Sequence, residues 1–249
     1  MGSTTRHSLA TVSSVLVLIL IWKLLSLMIG AEIILPAPES TVRDLLSVVR
    51  SPDFWPSVGA TVARGLIGFL VSCLGGIAVG LLAGFNSLAF WMLQPLLTVI
   101  RSTPVMAVIL LALIWFQTEM VPIFVSFLMA FPIMCSNTIE GIRNVDAQLV
   151  EMARLFRVSP RRVLWELYLP SVLPFLMAGA SAAMGLTWKV IIAAEILSQP
   201  RLAIGTEMQT AKTYLDTVRV FSWTIVIITV SFVFETAMQA AEKHFRAWR

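Results

Sequence analysis

The sequence predicts an all-α polytopic membrane protein, crossed by about six helices and forming one domain over 1–249, and three observations carry that prediction. Hydrophobic residues fill 58% of the chain and charged residues only 13%, for a mean hydropathy of +0.87. That balance is wrong for an ordinary soluble domain, whose surface needs more charge. Apolar runs recur at about 9–30, 57–85, 103–117, 120–138, 171–197 and 219–240, against the ~20 residues that a helix needs to cross a hydrocarbon core of about 30 Å. Most of the charges fall between these runs, and backbone groups in lipid must be satisfied within their own segment, so the runs are helical.

Taken in order, the first run begins near Leu9, is too long for the core of a secretion signal and has no A-x-A site before Glu32. It is expected to be retained as a span. In 31–56, Leu35-Pro36-Ala37-Pro38 leads into TVRDLLSVVR, where Val42, Leu45, Leu46 and Val49 make one face of a short interfacial helix. The second run carries Gly68, Ser72, Gly76, Gly80 and Gly84 at a spacing of four. Small residues stacked in this way let another helix approach closely, either within one subunit or as a sliding or dimer-forming surface. The third run is short, and its start within 88–102 stays open because Pro95, Arg101 and Pro104 interrupt a continuous helix.

Asn137 and Thr138 end the fourth run, either lining a path or hydrogen-bonding neighbouring helices. The fifth is rich in small residues from Ala178 to Gly185 and ends in Thr187, Trp188, Lys189 and Glu195. Lys189 lies about 27 Å along a helix that starts near Ser171, placed to snorkel to headgroups or to face a cavity. Lys189 and Glu195 are six positions apart and point to different sides. After it, Gly205 and TEMQTAKTYL form another short helix outside the bilayer, before the sixth run. Arg64 and Arg101, near span ends, suit phosphate headgroups or an anionic solute.

Several classes are excluded by what the chain lacks. No G-x-x-x-x-G-K-[ST] occurs, so an ATPase that drives this protein is a separate chain. Cys73 and Cys135 sit in apolar runs and His7 and His244 near opposite ends, so no metal spacing exists and no disulfide is expected. The basic residues flank spans, a topology signal rather than a nucleic-acid footprint.

The polar connection 139–170 is different in kind, for it holds two short helices. Val145, Leu149, Met152 and Phe156 recur about a turn apart on one face, with Glu151 and Arg154 off it. Ser159 and Pro160 restart a helix, serine as a cap and proline at a first position that needs no N–H. An apolar stripe in water beside a positioned glutamate calls for a partner to cover it. Glu151, Ala153 and the ending Leu169-Pro170 resemble the EAA loop of bacterial ABC importer permeases, with Arg157 where that family has glycine. Glycine there accepts a positive φ, whereas arginine in that conformation costs on the order of 1 kcal/mol. LPAPEST at 35–41, ARGLIGF at 63–69, IRSTP at 100–104 and TWKVIIAAEIL at 187–197 are similar to the sulfonate, taurine and nitrate branch.

That resemblance implies a type I importer permease fold with no catalytic site, paired with a second permease subunit, a homodimer by preference. It further implies two ATPase subunits that hold ATP and Mg, and a soluble substrate-binding protein. Glu151 and its helix would enter a cleft on the ATPase, with Arg154, Arg161 and Arg162 at the rim. The path residues expected are Arg64, Arg101, Asn137, Gly185, Thr187, Trp188 and Lys189. The cargo would be a small sulfonate, a nitrate-like anion or a vitamin-related heterocycle.

Orientation follows from charge. Six spans put both termini and 139–170 on one side, with Arg6, Arg143, Arg154, Arg157, Arg161, Arg162, Lys243, Arg246 and Arg249. The other side holds Arg43, Arg50, Arg201, Lys212 and Arg219, so the positive-inside rule makes the first side cytoplasmic, and the resemblance implies a bacterial inner membrane. Two other classes fit less well. An intramembrane hydrolase needs a catalytic constellation at depth, where neither histidine lies. A secondary transporter or channel is expected to show inverted repeats and midplane carboxylates, whereas the sequence shows no convincing repeat and no central Asp or Glu.

Overall fold

The computed structural model describes residues 13–243 in full, and the helical path of 2–12 and 244–246. His7, His244, Arg6, Arg246 and Arg249 lie outside the fully described residues. The described chain is all-α: α1 (Gly2–Ile29), α2 (Pro38–Val49), α3 (Phe54–Phe85), α4 (Ser87–Ser102), α5 (Val105–Trp115), α6 (Val121–Arg143), α7 (Ala147–Leu155), α8 (Pro160–Val163), α9 (Leu169–Ser198), α10 (Ile204–Thr213) and α11 (Thr217–Arg246). One π turn, Leu164–Tyr168, joins α8 to α9, so a single helix runs 39 residues from Pro160 to Ser198. Among the described residues, four helices are long and apolar enough to cross a membrane, or five if a bent pair counts as one, and Ser13–Ile29 is a shorter apolar helix.

The bent pair is where the sequence left the start of the third run open. The 103–117 run is helical only over Val105–Trp115, about 16 Å of rise and too short to cross alone. It works together with α4, from which it turns by 99°. Pro104 is the cause: a proline disfavours helical backbone in the residue before it, and Thr103 is extended (φ −76°, ψ 127°).

At the centre stand α3, α6 and α9. The four-residue stripe of α3 packs on α6 of the same chain: a Cβ on Gly76 would lie 2.5 Å from that of Met134, and one on Gly80 2.6 Å from that of Thr138. Ser72 Oγ donates to Phe127 O across the same seam at 3.2 Å. Of the two readings of that stripe, close packing within one subunit is the one realised. Phe69, Ala130, Met134, Ala183 and Trp188 fill the space where the three helices meet. Val108, Ile109, Val121, Val125 and Ala194 tie α5 to α6 and α9.

The short helices sort to the two ends of this core. α2 and α10 share one end with the start of α11, through a cluster of Val48, Phe54, Ile204 and Trp223. α1 joins there as well, with Trp22 Nε1 donating to Pro36 O at 3.0 Å and Lys23 meeting Glu39 at 2.9 Å. The Lys23 hydrogen bond holds the Glu39 carboxyl below its usual range. α7 and α8 occupy the opposite end, where Phe85 and Tyr168 bring α3 and the π turn together, ring centres 5.2 Å apart.

Candidate functional site

Three places gather side chains with something to do. The first is the α7 end. Asp146 caps α7, its Oδ1 accepting the N–H of Gln148 at 2.8 Å. The helix closes in a Schellman turn, with Val158 N donating to Ala153 O at 2.9 Å and Arg157 N to Arg154 O at 3.0 Å. That geometry sets the φ of Arg157 at +51°, in the left-handed region that glycine enters without steric cost. Ser159 stands at the cap of α8 but its hydroxyl makes no capping bond, so Pro160 alone supplies the restart.

No residue of α7 or α8 is buried. Phe156 is 77% exposed and Met152 49%, with Leu149 beside them and Glu151, Arg154 and Arg161 open to solvent, while Val145 and Ala153 are half-covered. Leu169 and Pro170, at the start of α9, are exposed too. Arg162 pairs with Glu166 one turn on, at 2.8 Å, which raises the pKa of its guanidinium. Behind this surface lies an apolar cavity of about 260 Å³, walled by Leu164, Trp165 and Tyr168 on one side and Leu81, Phe85 and Ile142 on the other.

The second place is an open groove of about 530 Å³ between α9 and α11. Ala178, Ser181, Gly185 and Lys189 recur at helical spacing along its α9 wall, and Glu235 and Glu242 stand on the α11 wall. A Cβ on Gly185 would meet nothing within 4 Å. Thr187 and Trp188, expected beside them, turn the other way. The Thr187 hydroxyl bonds Ala183 O within its own helix, and Trp188, 3% exposed, packs at a tilt of 38° against Phe234 with ring centres 4.8 Å apart. Asn137 bonds its own helix at Ile133 O, 2.9 Å, and packs on Gly179. Arg101 is exposed and reaches α6 at Pro132 O, 3.0 Å, and at the Ser136 hydroxyl.

The third place was not foreseen. Arg64 is buried among protein groups instead of meeting headgroups or an open path. Its Nη1 donates to Glu195 at 3.0 Å and to Leu202 O at 2.8 Å, and its Nη2 to Glu119. Glu195 is fully buried and also accepts from Thr61 Oγ1 at 2.9 Å and Gly205 N at 3.1 Å. Thr61 Oγ1 accepts from Ile204 N at 3.0 Å, and Glu119 from Arg201 N at 3.0 Å. A Cβ on Gly205 would lie 2.5 Å from that of Glu195, so glycine is what lets the backbone reach the carboxylate. The signal available in the sequence was the cost of an ionisable group in a span, which demands a partner. Spacing gave no hint, since Arg64 and Glu195 are 131 positions apart.

Comparison with known proteins gives a consistent picture. Residues 76–247 match the family model described as "Binding-protein-dependent transport system inner membrane component". The putative aliphatic sulfonates transport permease protein SsuC of Bacillus subtilis is 28% identical, over 94% of this chain and 85% of its own. The nitrate import permease protein NrtB of Leptolyngbya laminosa is 30% identical, over 79% of this chain and 73% of its own. Among solved structures, an inward-facing form of the MetNI methionine ABC transporter superposes with a TM-score of 0.63, at 14% identity, over 78% of this chain and 96% of that one.

Proposed function

Because the chain belongs to the family of binding-protein-dependent transport system inner membrane components, the permeases of ABC importers, we propose that it works with a separate ATPase bound at α7. The observation that carries this reading is the uncovered α7 end. Phe156, Met152 and Leu149 are apolar and exposed, next to Glu151 and Arg154, on a segment that has left the core. Apolar surface held in water beside fixed charges is what a desolvated interface with a charged rim requires. In this reading Glu151 and the apolar face enter the partner, and Arg154 and Arg161 meet acids at its edge. The ATPase binds ATP and Mg, and this chain performs no chemistry.

The α9–α11 groove serves the cargo. Gly185 leaves it room, and Ser181 lends a hydroxyl and Lys189 a cation opposite the carboxylates of Glu235 and Glu242; likeness to sulfonate and nitrate permeases supports a small anionic solute. In a pair of permeases, two copies of this chain by preference, the two grooves would face one shared path. The α7 end lies in the cytoplasm, and the α2 and α10 end faces a soluble binding protein outside the bacterial inner membrane.

Purification of the complex tests the reading. A P-loop ATPase co-purifies with the chain, and Met152→Asp with Phe156→Asp lowers its yield at least about tenfold, since charge then enters a desolvated surface. Equal yield from the double variant would remove α7 from the interface.

A further inference from the structure

The Arg64 cluster links four parts of the chain that meet at the α10 end: α3 through Thr61 and Arg64, the α5–α6 connection through Glu119, the end of α9 through Glu195, and the 199–204 connection through Arg201, Leu202 and Ile204. Its two carboxylates are not equivalent. The Glu195 side chain has no exposed surface, whereas that of Glu119 is 49% exposed. A carboxylate with no access to water cannot give up its countercharge without a large desolvation penalty, so Glu195 is the costlier of the two to part from Arg64. Glu119 is half in water already and rehydrates cheaply when released. It is also surplus in charge, since one guanidinium faces two carboxylates, and Arg64 with Glu195 alone forms a neutral pair still held by Thr61, Gly205 and Leu202.

We propose that Glu119 is the movable half of a latch that closes this end of the protein, with Arg64 and Glu195 as its fixed post. Closed, Glu119 ties the α5–α6 connection both to α3 and, through Arg201 N, to the 199–204 connection. Opened, it frees the α5–α6 connection and leaves the buried pair intact. The latch rests on the importer reading above, because something must drive it open, and the ATPase bound at the far end of α9 is what would do so.

The test uses the permease–ATPase complex in lipid nanodiscs, with Cys73→Ser and Cys135→Ala removing the native thiols and Met120→Cys with Arg201→Cys placed on the two connections. Both chosen positions are exposed. A short bismaleimide cross-links them in the resting complex, and the yield falls about fivefold when ATP and vanadate trap the ATPase closed, as one broken charge-assisted bond allows. Adding Glu119→Gln brings the resting yield down towards the trapped level while the melting temperature of the complex is kept. Equal yields in the resting and trapped states, with ADP–vanadate bound, would make the cluster a static staple and end the proposal. So would an unchanged resting yield in Glu119→Gln. A chain that purifies with no ATPase at all would sink the importer reading itself, a result that the ADP–vanadate measurement separates from failure of the latch.

Discussion

Ala153 and Val158 are joined across the end of α7 by a backbone hydrogen bond of 2.9 Å, and the bond holds Arg157 between them at a φ of +51°. A side chain at that backbone angle crowds its own carbonyl, which glycine avoids. Arg157→Gly is therefore expected to stabilise the turn by about 0.5–1 kcal/mol, the gain reduced by the wider freedom of glycine in the unfolded chain. Amide exchange at Val158 reads it directly, slower in Arg157→Gly and faster in Arg157→Val. Faster exchange in the glycine variant would show that the arginine side chain contributes more than its backbone costs.

The seam between α3 and α6 sets a second expectation. A methyl on Gly80 would meet the Thr138 Cβ at 2.6 Å and the Cys135 carbonyl oxygen at 2.9 Å, so Gly80→Ala forces the helices apart. A loss of about 1–3 kcal/mol is expected, as for other overpacked sites. Gly59, on the same helix with nothing within 4 Å, is the control whose alanine variant melts like the parent protein. Equal melting of the two variants would mean that the helices separate without penalty.

For the groove, Gly185→Leu is the informative change. Because no atom lies within 4 Å of an added Cβ, a side chain at this position starts into open space rather than against a packed neighbour. Uptake is expected to fall while the yield of assembled complex stays level. Lost assembly would place Gly185 in a subunit contact instead, and unaltered uptake would put this face towards lipid.

Sidedness is open to chemical labelling. Single cysteines at Ser40, in α2, and at Ser159, beside α8, lie at opposite ends of the core and belong to opposite sides of the membrane if the charge bias is obeyed. An impermeant maleimide on intact cells is expected to label the first and spare the second. The reverse pattern would invert the topology.

What the sequence made legible was whatever its periodicity carries. The long apolar runs became α3, α6, α9 and α11, and the stripe on α7 became an exposed apolar face, because hydrophobic spacing and helical geometry are two statements of one fact. Gly185 and Lys189, one turn apart, line one groove, whereas Thr187 and Trp188 between them point elsewhere. The break between α4 and α5 was hidden, since Pro104 shows that a helix is interrupted but not by what angle the chain leaves it. Glu195 with Arg64 was hidden for another reason. Which helices become neighbours is decided by packing over the whole chain, and no local pattern records a contact across 131 residues.

One feature of α9 reaches beyond its own contacts. Thirty helical residues make a rod of about 45 Å, packed along its middle on α3 and α6 and pinned to α3 near its far tip, where Glu195 holds Thr61 and Arg64. A rod of that length swings each tip some 4 Å for a tilt of about 10° about its middle, in opposite directions, and the Glu195 bonds make α3 swing with it. With the π turn and α8 at one tip and Glu195 at the other, an inward step on one face is an outward step on the opposite face. Under the proposed importer role, two openings governed by one such rod are mutually exclusive by geometry, so a solute would meet a closed door ahead whenever the one behind it stood open.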